Sequence, residues 1–136
     1  MYKLRTQFDF DSAHRLVGYS GKCHQLHGHI WTVILEISGE KKDLDKIGIL
    51  WDFTNVKKLK DYFDHKTILK NCDENEVLIA ALISTCGRES VVLMKDNPTA
   101  ENLCGEVLKK IKTSNPNLKY KITIYESPKS CVEIEE

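Results

Sequence analysis

Two stretches of alternating polar and apolar residues, each with histidines at one end of its apolar side, constrain this chain most. In residues 2–14 the apolar side ends at His14, and in residues 27–37 the apolar side begins with His27 and His29. A period of two is typical of a half-buried strand. The sequence therefore predicts two strands whose inward faces carry histidines.

The segment between these strands, residues 15–26, contains two glycines and is longer than an ordinary hairpin connection. If the strands pair antiparallel, the end of the first lies beside the start of the second. His14, His27 and His29 would then converge on one side of the sheet. His24 falls one residue too early for that face, and we assign it to the loop.

Composition indicates a single globular domain over residues 1–136. Lys plus Arg number 20, as do Asp plus Glu, so no net charge favours a nucleic acid or an anionic membrane as partner. The start of the chain lacks the apolar run of a signal peptide, and no membrane-spanning stretch follows. Five cysteines at irregular spacing suit a reducing compartment, so we expect a soluble, cytoplasmic protein.

The rest of the chain predicts helices followed by two more strands. The elements expected are a helix over 54–63 that ends near Asp64, a buried helix over 76–84, a short strand over 91–94, a helix from Asn97-Pro98 to Asn115-Pro116, and strands over 118–126 and 131–134. Two strands, then helices, then two strands favour the α+β class. We therefore expect a four-stranded antiparallel sheet with helices packed on one face.

The converging histidines predict a metal site. Three neutral imidazoles with an open fourth position are the pattern of catalytic zinc. Cys23, four residues before His27, leaves two readings open. It is either a thiolate base near the metal or the fourth ligand of a closed structural clip made with His14, His27 and His29.

The roles of Glu126 and of the neighbouring residues Asp64 and His65 depend on which groups surround them. Glu126 lies on the apolar face of a predicted strand, where a carboxylate needs a partner. That partner is either a buried Lys or Arg, or a ligand that presents two N–H donors. Asp64 and His65 can pair only if the helix breaks between them, because adjacent helical residues point apart.

Six short motifs follow one another along nearly the whole chain: FDSAHRL at 10–16, CHQLHGH at 23–29, WDF at 51–53, FDH at 63–65, NPTAEN at 97–102 and YESP at 125–128. Together they resemble the 6-pyruvoyl-tetrahydropterin synthase family, and the gap between Cys23 and His27 is similar to its 6-carboxy-tetrahydropterin synthase branch. One departure is visible, because the segment 70–96 is longer than in compact members. That difference affects the expected helix count and the subunit contacts.

The resemblance implies the tunnelling fold, in which four antiparallel strands and two helices per subunit form a barrel of three subunits. Two such barrels usually stack as a homohexamer. The resemblance also implies that His14, His27 and His29 hold Zn²⁺ and that Cys23 is the catalytic base.

The same resemblance implies roles for four further residues. Asp64 and His65 would form a second proton-transfer pair, Glu126 would anchor the pterin, and Thr99 would also touch it. The implied reaction is the zinc-dependent conversion of 7,8-dihydroneopterin triphosphate to 6-carboxy-5,6,7,8-tetrahydropterin, with release of acetaldehyde and triphosphate. It is a lyase reaction on the route to queuosine.

Two alternatives remain open. A 6-pyruvoyl-tetrahydropterin synthase would use the same substrate and metal but only eliminate triphosphate. A zinc-stabilised binding module would instead have a closed site of one cysteine and three histidines. The residue that meets the triphosphate is also open, with Lys22 and Arg15 as candidates.

Overall fold

A mixed sheet of six strands, in the order β4-β3-β1-β2-β5-β6, organises the protein. The computed structural model describes residues 1–112 and 117–136. The strands are β1 Tyr2–His14, β2 His27–Gly39, β3 Lys66–Lys70, β4 Val91–Met94, β5 Lys119–Ser127 and β6 Ser130–Glu135; the helices are α1 Asn55–Phe63, α2 Glu76–Cys86 and α3 Ala100–Lys112.

The predicted hairpin of the first two strands is confirmed. β1 and β2 pair antiparallel over their whole length, from Tyr2 opposite Gly39 to His14 opposite His27. Directly opposed residues point to the same face, so the alternation seen in the sequence becomes one apolar face and one polar face. The loop over 15–26 closes the hairpin, and it contains one short 3-10 turn, Lys22–His24.

The core lies between this apolar face and two helices. Helices α1 and α3 are amphipathic, with apolar residues recurring every three or four positions. Their buried side chains join those of β1, β2 and β5 in one cluster. It includes Phe10, Trp31, Leu35, Leu59, Phe63, Leu103, Val107, Ile111, Ile122 and Ile124. This packing holds the end of the hairpin that carries the histidines.

The expectation of a four-stranded antiparallel sheet is wrong. β1, β2, β5 and β6 are antiparallel as predicted, but β3 and β4 extend the sheet beyond β1 by parallel pairing. The contact of β3 with β1 is short and involves only the last residues of β1, Ser12–His14. A parallel strand as short as Lys66–Lys70 carries little local pattern, since its pairing depends on a distant strand. The predicted strand over 91–94 is confirmed as β4.

Helix α2 is present as predicted but is not buried. None of its residues is buried, and Val77 is 83% exposed. The helix lies beside the edge strand β4 and the short turns that flank it, so its apolar side chains are only partly covered. The predicted end of α3 at Asn115-Pro116 lies outside the described residues. Among residues 1–112 and 117–136, no helix is both long and apolar enough to span a membrane.

Candidate metal and catalytic site

The structure brings the three predicted histidines together. His14 lies opposite His27, and Ser12 lies opposite His29, so all three imidazoles leave the same face of the hairpin. The Nε2 atoms of His14 and His27 are 3.1 Å apart. The ring of His29 is 5.1 Å from that of His14 and 4.9 Å from that of His27, centre to centre.

Backbone carbonyls determine which nitrogen of two rings faces the cluster. Nδ1–H of His14 donates to the carbonyl oxygen of Pro98 at 2.7 Å, and Nδ1–H of His27 donates to that of Gln25 at 2.8 Å. Their Nε2 atoms are then bare acceptors that face each other. Two lone pairs at 3.1 Å repel unless a cation lies between them.

Glu126 supplies a fourth donor to this cluster. One carboxylate oxygen lies 3.1 Å from Nε2 of His29 and 3.5 Å from Nε2 of His14. A shift in the pairing of β5 with β6 between Tyr125 and Ser127 accompanies this placement. Of the two partners expected for Glu126, a Lys or Arg is not found within ion-pair distance in the described part of the chain.

The donor set fits a divalent transition metal. Ligand atoms of His14, His27, His29 and Glu126 all lie within 4.8 Å of one another. Donors at about 2.0–2.1 Å from a tetrahedral zinc are roughly 3.3 Å apart, close to the spacing found here. Nε2 of His29 is buried and makes no hydrogen bond of acceptable geometry, even to nearby Glu126. A bound cation would satisfy it.

Burial favours the neutral form of two of these imidazoles, those of His14 and His29. Burial lowers the pKa of His14 and of His29 below the ordinary value, although the nearby charge of Glu126 acts in the opposite direction. Beneath them lies the fully buried ring of Trp31, 5.0 Å from His14 and 5.3 Å from His29. Neutral imidazole is the form that binds metals, so these two rings are held ready at neutral pH.

Cys23 lies outside this donor group. It belongs to the 3-10 turn Lys22–His24 and is half-buried. In the part of the chain that the structure describes, the donors within 4.8 Å of one another include an oxygen of Glu126 and not the sulfur of Cys23. This arrangement does not favour the closed clip of one cysteine and three histidines.

Asp64 and His65 pair because helix α1 ends at the residue before them. Asp64 has an extended backbone and His65 a left-handed one, with φ 59°. Nδ1 of His65 lies 3.0 Å from one carboxylate oxygen of Asp64, and the other oxygen accepts the backbone N–H of Asp11 at 2.9 Å. That N–H lowers the pKa of Asp64, which therefore stays ionised well below neutral pH.

His65 of the pair and His29 of the cluster line the same shallow groove. Its lining includes Asp11, Gly28, His29 and His65. Gly28 lies between the two histidines of β2 with only backbone near it, so a bound molecule can approach the sheet closely here.

The segment NPTAEN supports the site from the side. Pro98 accepts the hydrogen bond from His14, and the Asn97 side chain exchanges two hydrogen bonds with the backbone of Val17, both 2.9 Å. The Thr99 hydroxyl, expected to touch the pterin, accepts the backbone N–H of Asn102 at 3.1 Å at the start of α3. These backbone partners were not predicted, because every residue has a carbonyl oxygen and the residue types do not indicate which one accepts a hydrogen bond.

Known proteins resemble this chain over its whole length. A model of the family described as 6-pyruvoyl tetrahydropterin synthase matches residues 3–136. A Rickettsia bellii protein named 6-carboxy-5,6,7,8-tetrahydropterin synthase is 33% identical over 143 aligned residues, covering 98% of this chain and 100% of its own. A Haemophilus influenzae protein of the same name is 31% identical, with 100% of both chains covered.

Solved structures share the fold. An uncharacterised Wolinella succinogenes protein matches with a TM-score of 0.75 at 21% identity, over 98% of this chain and 97% of its own. A Caenorhabditis elegans 6-pyruvoyl tetrahydropterin synthase matches with a TM-score of 0.63 at 24% identity, over 99% and 95%.

Proposed function

Since the chain belongs to the 6-pyruvoyl tetrahydropterin synthase family, we propose that it converts 7,8-dihydroneopterin triphosphate to 6-carboxy-5,6,7,8-tetrahydropterin. Acetaldehyde and triphosphate are released, and one water is consumed, which balances the atoms. The curated relatives that cover the chain from end to end are named for this product.

The observation that carries the proposal is the histidine cluster. His14 and His27 use Nδ1 on backbone carbonyls and turn Nε2 towards a common point, and His29 adds an unsatisfied Nε2. We propose zinc as the cofactor held there by these three nitrogens. Zinc supplies Lewis-acid chemistry to the oxygens of the substrate side chain when it is bound.

The protein groups around the cluster then move and hold protons. We propose that the Cys23 sulfur takes a proton from the substrate side chain. His65 keeps Nδ1 on Asp64, so its Nε2 is the atom that exchanges a proton with substrate. The Glu126 carboxylate accepts two N–H groups of the pterin, for which its two oxygens are suited. Thr99 directly follows Pro98, whose carbonyl oxygen accepts Nδ1–H of His14, and is proposed to contact the pterin edge.

Product analysis tests the function. The purified protein loaded with Zn²⁺ is incubated with 7,8-dihydroneopterin triphosphate, and the pterin and any aldehyde are identified by mass spectrometry. Acetaldehyde in equal amount to 6-carboxy-5,6,7,8-tetrahydropterin is expected. A pyruvoyl pterin with triphosphate and no acetaldehyde would instead support the 6-pyruvoyl alternative. No turnover together with tight zinc binding would support a binding module.

Asp64→Asn should lower turnover by about tenfold or more while the protein keeps its fold and its zinc. The amide oxygen can still accept the Asp11 N–H, but the amide NH₂ would face Nδ1 of His65 and reverse the proton arrangement of that ring. Steady-state kinetics and a melting curve measure both effects. Asp61→Asn is the control, because Asp61 is exposed and pairs only with exposed Lys57. Equal kinetics for the two variants would remove Asp64 from the mechanism.

Glu126→Gln should weaken pterin binding and leave zinc in place. An amide accepts only one of the two pterin N–H bonds and loses the charge, which costs roughly 2–3 kcal/mol, or about 30- to 150-fold in Kd. Calorimetry with a non-reacting pterin measures the affinity, and elemental analysis measures the zinc. Glu135→Gln, on the exposed face of β6, is the control. Loss of zinc with unchanged pterin affinity would make Glu126 a metal ligand instead of an anchor.

The finer parts of the proposal concern assembly and context. We propose one domain over residues 1–136, a homohexamer of paired trimers, a place in queuosine biosynthesis and a cytoplasmic location. The family resemblance supports the assembly and the pathway, and five cysteines without a disulfide support a reducing compartment. Light scattering on the zinc-loaded protein measures the number of subunits directly.

A further inference from the structure

Arg15 connects the loop that carries Cys23 to the segment 70–96. Its Nε donates to the carbonyl oxygen of His24 at 3.1 Å, and its Nη2 lies 3.1 Å from Nε2 of the same residue. Its Nη1 donates to Oδ1 of Asn75 at 3.0 Å. One guanidinium therefore bonds the residue next to Cys23 on one side and the long segment on the other.

The Asn75 side chain is placed for this contact rather than for helix capping. Asn75 is 0% exposed and stands at the N-cap position of α2, where an asparagine usually accepts an N–H of the first turn. It makes no such bond. Its oxygen faces Arg15, and its Nδ2 donates to the carbonyl oxygen of Lys70 at 2.8 Å. Both ends of a fully buried amide are thus paired, which leaves it one orientation.

Two neighbouring carbonyl oxygens, those of Cys23 and His24, attach the backbone at Cys23 to this corner of the molecule. The Cys23 carbonyl oxygen accepts the N–H of Leu16 at 2.9 Å, and the next carbonyl, that of His24, accepts Nε of Arg15. Releasing Arg15 would free one of these two attachments.

We infer that Asn75 is a positioning residue for Cys23, and that it acts through Arg15. The segment 70–96 thereby supports the loop that carries the proposed base. The inference rests on the proposed function, in which Cys23 moves a proton. Proton transfer depends steeply on distance and angle, so a loose loop slows the chemical step without weakening substrate binding.

The same contacts argue against Arg15 as the residue that meets the triphosphate. Its Nε, Nη1 and Nη2 all face protein partners, and the side chain is half-buried. A guanidinium committed to a carbonyl and a buried amide would have to break those bonds to reach a phosphate.

Four zinc-loaded proteins test the inference: Asn75→Ala, Arg15→Ala, the double variant, and the control Asn71→Ala, whose side chain is exposed on the same segment. For Asn75→Ala we expect kcat to fall about 10- to 100-fold with KM within twofold of the parent. The double variant should lose no more than Arg15→Ala alone, because both changes cut one connection. Asn71→Ala should match the parent.

A second measurement, the alkylation rate of Cys23, does not depend on turnover. Iodoacetamide alkylation of Cys23, followed by peptide mass spectrometry, should be at least fivefold faster in Asn75→Ala and Arg15→Ala. The exposed Cys86 in the same molecules is the internal reference and should not change. The inference would be overturned if Asn75→Ala kept both the parental kcat and the parental alkylation rate. It would also be overturned if the losses of the two single variants multiplied in the double variant, or if Asn75→Ala raised KM and left kcat intact.

A second substitution covers the case in which Asn75→Ala does not fold. Asn75→Asp keeps an oxygen for Arg15, and Cys23 in it should be alkylated at nearly the parental rate; a rate equal to that of Arg15→Ala would overturn the inference. Failure of the proposed role of Cys23 is distinguishable, since it would appear as full activity in Cys23→Ala, and failure of the proposed function would appear as no turnover in the parent. The alkylation measurement would still decide whether Asn75 holds the loop.

Discussion

Replacing Cys23 by alanine should leave one zinc per chain and a nearly unchanged melting temperature, while turnover falls by roughly 10²- to 10⁴-fold, as is typical when a general base is lost. The donors already grouped are three imidazoles and the Glu126 carboxylate, without the Cys23 sulfur. A core of 21 buried residues in one cluster also makes folding independent of a cysteine–metal bond. Zinc analysis, a melting curve and steady-state kinetics measure the three quantities.

Cys86→Ala is the matched control, because Cys86 is exposed on α2, away from the histidines. It should retain parental zinc, stability and turnover. If Cys23→Ala instead sheds its zinc and melts well below the parent, Cys23 is a structural ligand. The alternative of a zinc-stabilised binding module would then be the better description. If zinc, stability and turnover all stay parental, the base must be another residue.

The hairpin and its histidines were predictable because the information is local. A period of two assigns each side chain of β1 and β2 to a face, and a hairpin brings His14 beside His27 without any knowledge of the rest of the fold. The break after Phe63 that allows Asp64 and His65 to pair was likewise expected from the end of an amphipathic pattern.

The parts that escaped prediction depend on distant contacts. β3 was not predicted, because it pairs with the last residues of β1 and with β4, both of which are distant in sequence. The carbonyl oxygens of Pro98 and Gln25, which orient two imidazoles, belong to the backbone and carry no residue signal. Glu126 was predicted to face inward, but its closeness to the histidines follows from the pairing of β5 with β2, in which Ile124 lies opposite Val33.

Arg15 illustrates a different limit of the sequence. It was one of two candidates, with Lys22, for the residue that meets the triphosphate. The structure instead uses its donors on His24 and on buried Asn75, a residue outside every motif of the family resemblance. Charge in a sequence indicates which ligand a side chain could meet, whereas only the fold shows whether its donors are already engaged.

Replacing His14 by alanine should lower zinc affinity by more than the roughly 10- to 100-fold typical of losing a group that hydrogen-bonds a metal ligand. Nearly all turnover should be lost with it. His14 is the most buried of the three proposed ligands, at 1% exposure, and its Nε2 faces both His27 and Glu126. The change also leaves the Pro98 carbonyl without its N–H donor, which costs about 1–3 kcal/mol of stability. Competition with a coloured chelator measures the affinity, and urea unfolding of the metal-free protein measures the stability.

Two companion variants separate metal binding from packing. His27→Ala removes a half-buried ring, so it should lose a similar amount of zinc affinity with less loss of stability in the metal-free state. His24→Ala removes an exposed loop histidine outside the cluster and should keep its zinc. Because the three rings are proposed to share one cation, affinity is expected to fall in His14→Ala and His27→Ala alike. Full zinc in both variants would place the metal elsewhere and leave the carbonyl-oriented imidazoles as a hydrogen-bonded part of the core.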